Sequence, residues 1–143
     1  MYLIFNYYVN IFINKLTNIL NKNTFINNNI NFSIEYRIKN FDKIKNKLFY
    51  KKKIINDYIG ARIIYNNKND YNDINTAYII KNIIKKNFVT FDYFYDDYIL
   101  NPKNNNYQSI HLYIFYYFFL IEFQIRNEKM HINCLNGTAS NYL

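Results

Sequence analysis

The stretch "FLIEFQIR", Phe119 to Arg126, narrows the fold more than any other in the chain. Successive side chains of a strand point to opposite sides. Ile121, Phe123 and Ile125 therefore share one face, and Glu122, Gln124 and Arg126 share the other. The first row belongs against a core. The second sets a carboxylate, an amide and a guanidinium side by side. Such alternation is most often a strand with one wet face. Here the preceding run, "SIHLYIFYY", is rich in aromatics and predicts a hairpin partner that covers the sheet well. The polar row is accordingly read as the lining of a cleft.

The remaining segments fall around this hairpin. Residues 2–20 carry apolar side chains at helical spacing. "NKNTFINNNI" reads as a loop and "NFSIEYRI" as a strand. "FDKIKNKLFYKKK" puts Phe41, Ile44 and Leu48 on one helical face. "YIGARIIYN" predicts a buried strand. "DYNDINTAYIIKNIIKKN" returns to the helical period, with acids early and lysines late, as the helix dipole favours. The aromatic and acidic stretch "FVTFDYFYDDYI" is assigned no element. "EKMHINCLNGTASNY" is a closing helix that ends or loosens near Gly137. The order predicts an α+β fold, a small mixed sheet with helices packed against it.

Composition sets limits on class. With 143 residues, half of them hydrophobic, the chain can build one domain around one core. Gly occurs only twice, and Asn takes its place in turns because it tolerates the left-handed region. The net charge of +8 attracts polyanions: nucleic acid, an anionic membrane or nucleotide phosphates. A compositional drift toward Lys and Asn explains the exposed lysines equally well. The one cysteine, Cys134, cannot build a disulfide framework, which favours a reducing compartment. Paired with His131 it falls short of a zinc site, so a buried apolar thiol is expected. The opening "MYLIFNYYVNIFI" is broken by Asn6 and Asn10 and is too short to span a membrane. It is either a helix packed on the domain or the apolar part of a targeting signal. The chain divides into residues 1–31, an N-terminal helix and loop with targeting as the second option, and 32–143, the main domain.

Several residue groups could carry chemistry. Asp57 opens the strand "DYIGARII", where a carboxylate can meet Glu122 from a neighbouring strand. Two such carboxylates suit Mg²⁺, which takes hard oxygen ligands and keeps phosphate oxygens for the rest of its shell. A lone Asp before a strand is more often a turn residue. Arg37 and Lys39 share a strand face and Lys47 follows on a helix, three cations that suit a polyphosphate. Arg is rare, its other copies being Arg62 and Arg126. Finally, "NPKNNNYQSIH" gathers Pro102, Lys103, Tyr107, Gln108 and His111. Tyr107 offers a flat ring to a base, and Lys103 and His111 offer charge or hydrogen bonds to phosphate. The plainer reading is a Pro-Asn turn with a Tyr lid on the core.

Taken in order, these segments resemble the synthetase domain of the RelA/SpoT family of alarmone synthetases. That family's R-x-K and distal Lys match Arg37, Lys39 and Lys47. Its D-x-x-x-x-R strand matches Asp57 to Arg62. Its loop "DYIxxPKxNGYQSxH" matches "DYILNPKNNNYQSIH", Asp97 to His111, and its "EIQIR" matches "EFQIR". "MHINCLNGTASNY" is similar to its closing helix, with Leu135 in place of a Glu and Asn141 and Tyr142 in place of His-Trp. Asn106 stands where the family loop has Gly.

The resemblance implies a nucleotidyltransferase-like mixed β-sheet flanked by helices. It implies an ATP:GTP/GDP 3′-pyrophosphotransferase, a GTP/GDP diphosphokinase that makes ppGpp or pppGpp with Mg²⁺. Asp57 and Glu122 would hold metal, with Glu122 also serving as base. Arg37, Lys39, Lys47 and Arg62 would bind ATP. Tyr107 would stack on guanine, with Lys103, Asn105, His111 and Gln124 placing the GTP or GDP. The partners are these nucleotides, with no stable nucleic acid, no membrane span, and an oligomer allowed. Location would be a plastid of the apicoplast kind or the cytoplasm. Two alternatives remain: a catalytically weak nucleotide-binding regulatory remnant of the same fold, and a basic RNA-binding domain.

Overall fold

The computed structural model describes residues 2–38 and 59–136. The predicted helix at 41–53 and the candidate residues Lys39, Lys47 and Asp57 lie outside them, as does the chain from Gly137 onward. The described elements run α1 (Tyr2–Lys22), α2 (Thr24–Asn29), β1 (Ile30–Ile38), β2 (Ile59–Asn67), α3 (Asn75–Asn87), β3 (Val89–Asp97), β4 (Ile110–Tyr116), β5 (Phe119–Asn127) and α4 (Glu128–Asn136).

The strands form one five-stranded sheet in the order β1-β2-β5-β4-β3. β2 and β5 pair in parallel, and every other pair is antiparallel. The sheet is mixed and helix-flanked, as the sequence predicts. The hydrophobic row of "FLIEFQIR" lies in the core: Ile121, Phe123 and Ile125 are fully buried. From β2, Ile59, Ala61 and Ile63 join the same core.

Helix α1 covers this face. Val9, Phe12, Leu16 and Leu20 recur at helical spacing and are completely buried. Phe12 meets Phe88, Tyr116 and Phe123 edge-on, with ring centroids 5.1–6.0 Å apart. Such pairs add to the burial of a large aromatic. No described helix is long and apolar enough to cross a membrane.

Three local expectations need correction. Within the expected loop at 21–30, Thr24–Asn29 forms the short helix α2. The Asn23 side chain caps it by accepting the Ile26 N–H at 3.0 Å, and Ile26 is buried. In α3 no acid lies in the first turn. Asp73 stands just before it, and its carboxylate accepts the Thr76 N–H (3.1 Å), the Thr76 hydroxyl and the Asn67 amide (2.8 Å). Burial works against the ionised form of Asp73, but these bonds prevail and hold its carboxyl below the usual range. The unassigned stretch at 88–99 holds the edge strand β3. Its register with β4 shifts between Phe91 and Asp96, and such an irregularity erases the period-two signal.

Candidate active site

The face of the sheet opposite α1 carries the polar residues, aligned in two rows by strand register. In one row Glu35, Arg62, Gln124, His111 and Asp96 are successive neighbours across β1, β2, β5, β4 and β3. In the other, Arg37, Gly60, Glu122 and Tyr113 are neighbours across the first four of these strands. The sheet thus brings Arg37, Arg62, Glu122, Gln124 and His111, called from separate segments, onto one surface.

The β1–β2 side is open. Arg37 is exposed and lies over Gly60, where an added Cβ would stand 3.9 Å from its side chain. Arg62 forms an ion pair with Glu35 through its Nε, and both are partly exposed. Glu35 is a contact that sequence reasoning missed. It faces Arg62 only by the register of β1 on β2, which no motif encodes.

The β4–β5 side is closed. His111 Nδ1 stands 3.6 Å from Glu122 Oε1, and the Gln124 amide donates to the same oxygen at 3.5 Å. On its other edge, His111 Nε2 is 2.7 Å from the Tyr107 hydroxyl. That hydroxyl is also 3.4 Å from Gln124 Oε1 and from an Arg126 amino group. Burial, with help from Lys103 and Arg126, pushes His111 down to about 4, so the imidazole is neutral at pH 7. Burial pushes the Tyr107 phenol up to about 12, against the opposing pull of Arg126.

Arg126 is 1 % exposed and donates to Cys134 Sγ at 3.2 Å. Its Nε and second amino group have no hydrogen-bond partner among the described residues. Burial pushes the guanidinium below its ordinary value. Cys134 is buried and its thiol is raised by burial, in keeping with an apolar thiol. Among the described residues no group of three or more His, Cys, Asp and Glu is placed to hold a metal ion.

The loop between β3 and β4 is a closed unit. Its ends are tied by the Tyr98 N–H to the Ser109 carbonyl at 2.9 Å. Asp97 accepts the Ile99 and Leu100 N–H groups through one oxygen and the Tyr78 hydroxyl through the other. A turn closes from Lys103 to Asn106, and Asn106 takes φ 67°, the left-handed region. Asn tolerates that conformation better than other non-glycine residues, so the loop keeps a shape that suits Gly. The Asn105 side chain accepts the Tyr107 N–H, and Asn133 of α4 donates to the Asn106 carbonyl.

Within this loop Tyr107 is 2 % exposed, clustered with Cys134 and Tyr98 rather than presented as a free stacking surface. Tyr98, which was not singled out, is half-buried. It lies edge-on to His111 at 5.2 Å and carries the Lys103 ammonium 4.6 Å from its ring centroid.

The comparisons with known proteins agree on this architecture. Residues 36–143 match the model of the region found in RelA/SpoT proteins. The chain belongs to the RelA/SpoT family. Among solved RelA/SpoT relatives, small alarmone synthetase 2 from Bacillus subtilis superposes with a TM-score of 0.75 at 26% identity, covering 98% of this chain and 78% of that one. Small alarmone synthetase 1 from the same organism, bound to its product pppGpp, gives 0.60 at 25% identity, covering 76% and 61%. A curated RelA/SpoT relative, a probable guanosine-3′,5′-bis(diphosphate) 3′-pyrophosphohydrolase from Mycoplasma pneumoniae, is 32% identical over 119 residues. That match takes in 81% of this chain and 15% of the relative's length.

Proposed function

We propose that this chain transfers pyrophosphate from ATP to the ribose 3′-oxygen of GDP or GTP, forming ppGpp or pppGpp and releasing AMP. The observation that carries the reading is the position of Glu122. It lies on the central strand β5, between the Arg37–Arg62 side and the loop bearing Lys103 and Tyr107. Two nucleotides laid along the two sides would meet at that carboxylate. Glu122 takes the proton of the attacking 3′-hydroxyl, a role that needs a positioned carboxylate within reach of the oxygen. Arg37 and Arg62, with Lys39 and Lys47, hold the ATP phosphates. Lys103, Asn105, Tyr107, His111 and Gln124 place the acceptor. Transfer of this kind rests mostly on positioning and charge neutralisation.

The donor set suits Mg²⁺. Glu122 supplies hard oxygens, Asp57 would supply the second carboxylate, and nucleotide phosphates would complete the shell. Bound there, the ion would neutralise charge on the transferring group.

A regulatory remnant without catalysis is the second reading, favoured by the exposed Leu135 where the family helix has Glu. One experiment separates the two. Protein is mixed with Mg²⁺, ATP labelled in its terminal phosphates, and GDP or GTP, with Glu122→Gln alongside. Label on guanosine tetra- or pentaphosphate, lost in the variant, supports the transferase. Guanine nucleotide binding without transfer supports the remnant.

A further inference from the structure

We propose that the end of the molecule where α1 begins and β4 turns into β5 docks on the surface of an anionic lipid bilayer. The first turns of α1 and the two turn residues, Tyr117 and Phe118, form one aromatic cluster there. Between ring centroids, Tyr8 lies 4.6 Å from Tyr117 and 5.4 Å from Phe118, and Phe5 lies 5.9 Å from Phe118. Buried Phe119 anchors the cluster from below, 5.7 Å from Phe5. The outer members, Leu3, Ile4, Tyr7, Tyr117 and Phe118, are each more than half exposed. A contiguous apolar patch of this kind marks a contact site.

The backbone points the same way. Tyr117 takes φ 55°, a left-handed conformation that costs a bulky ring more than it costs Asn. At Asn106 the chain meets the same demand with Asn. Strain held at a water-facing turn, where packing does not require it, fits a ring presented to a partner.

Charge selects the partner. No charged side chain precedes Lys15, and none lies between His111 and Glu122. Rings with an apolar body and a polar tip, as in Tyr, suit the boundary between headgroups and acyl chains. Beside this uncharged tip the chain is basic. β1 ends at Ile38, which pairs with Ile59 at the start of β2, and β2 enters beside the turn end of β5. The chain between those two points reads "KNFDKIKNKLFYKKKIINDY". It leaves and rejoins the sheet within two strand spacings of β5, about 10 Å. An apolar tip next to a polybasic segment combines insertion with attraction to anionic headgroups. A second copy of this chain is the poorer occupant, because a two-fold contact through the tip would set basic segment against basic segment.

Flotation of the full chain with vesicles of equal parts phosphatidylcholine and phosphatidylserine tests this. The wild type should float, and should bind pure phosphatidylcholine vesicles at least about tenfold more weakly. Tyr117→Trp adds an indole to a chain that has no tryptophan, and lipids brominated on their acyl chains should quench it. Tyr117→Asn with Phe118→Ser should weaken binding at least about tenfold while the unfolding midpoint is retained. If that pair unfolds the hairpin, Leu3→Ser with Tyr7→Ser makes the same test from α1. Lys51→Gln, Lys52→Gln and Lys53→Gln together should also weaken binding at least about tenfold. Binding without quenching, unchanged by either tip variant, would leave charge alone and overturn the docking of the tip. Equal binding to both kinds of vesicle would overturn the anionic requirement. If nothing floats the proposal fails, and a dimer in sedimentation velocity that the tip variants dissociate would give the patch to a second copy.

Discussion

The two halves of the polar face hold their charges in opposite ways. Beside β1 and β2, Arg37 is exposed and the Arg62–Glu35 pair is open to water. Beside β4 and β5, Tyr107, His111, Gln124 and Arg126 are bonded to one another under cover. The difference fits the two tasks proposed for them. A polyphosphate arrives with its own charge and hydration, and flexible cations at the surface can meet it. Proton abstraction needs a carboxylate fixed to within a fraction of an ångström, which only packed neighbours provide.

The comparison can be broken most directly at its centre. Glu122→Gln preserves shape and should cost about 10²–10⁴-fold in the rate of labelled product formation. A fall of similar size in thermal stability would instead make Glu122 structural. Phe12→Ala attacks the core beneath both halves and should cost about 3–5 kcal/mol in urea unfolding. Both halves should then lose function together. Arg37→Ala acts on the open half alone. It should raise KM for ATP about tenfold, as loss of one charge-assisted contact does, with kcat nearly unchanged. An equal loss in kcat would erase the division of labour. Asn106→Ala, read by denaturation, probes the closed half's loop and should cost about 1 kcal/mol, because Ala is strained at φ 67°. The smallest effect belongs to Glu35→Gln. An exposed pair contributes at most about 1 kcal/mol, so stability should shift by less than that in the same denaturation assay.

The open half was also the more legible in sequence. Arg37 and Arg62 stand out in a chain where arginine is scarce, though the face they share is set by the register of β1 on β2. Glu122 and Gln124 followed from strand alternation. The closed half resisted. Tyr107 read either as a ring offered to a base or, more plainly, as a lid on the core, and sequence could not choose. Its burial depends on Cys134 and Tyr98 closing over it, contacts made by tertiary packing and not by spacing. Strand β3 was missed because the shift in its register breaks the alternation. Helix α2 was missed because six residues are too few to show a helical period. Loop shape was the exception: the Asn106 backbone was legible, since few residues besides Asn and Gly accept that conformation.

The parallel pairing of β2 with β5 has a consequence for how the molecule is made. β5 follows β4 in the chain, yet it is the middle strand of the sheet. A nascent chain that has emerged as far as Tyr116 can form two separate antiparallel pairs, β1 with β2 and β3 with β4. No strand yet lies between them. Only when "FLIEFQIR" is released can it slide between the pairs and zip them into one sheet, a step that closes long sequence distances and is correspondingly slow. The same strand delivers Glu122. Until it docks, the two halves of the polar face exist without the carboxylate between them, so under the proposed function a partly made chain would lack its base.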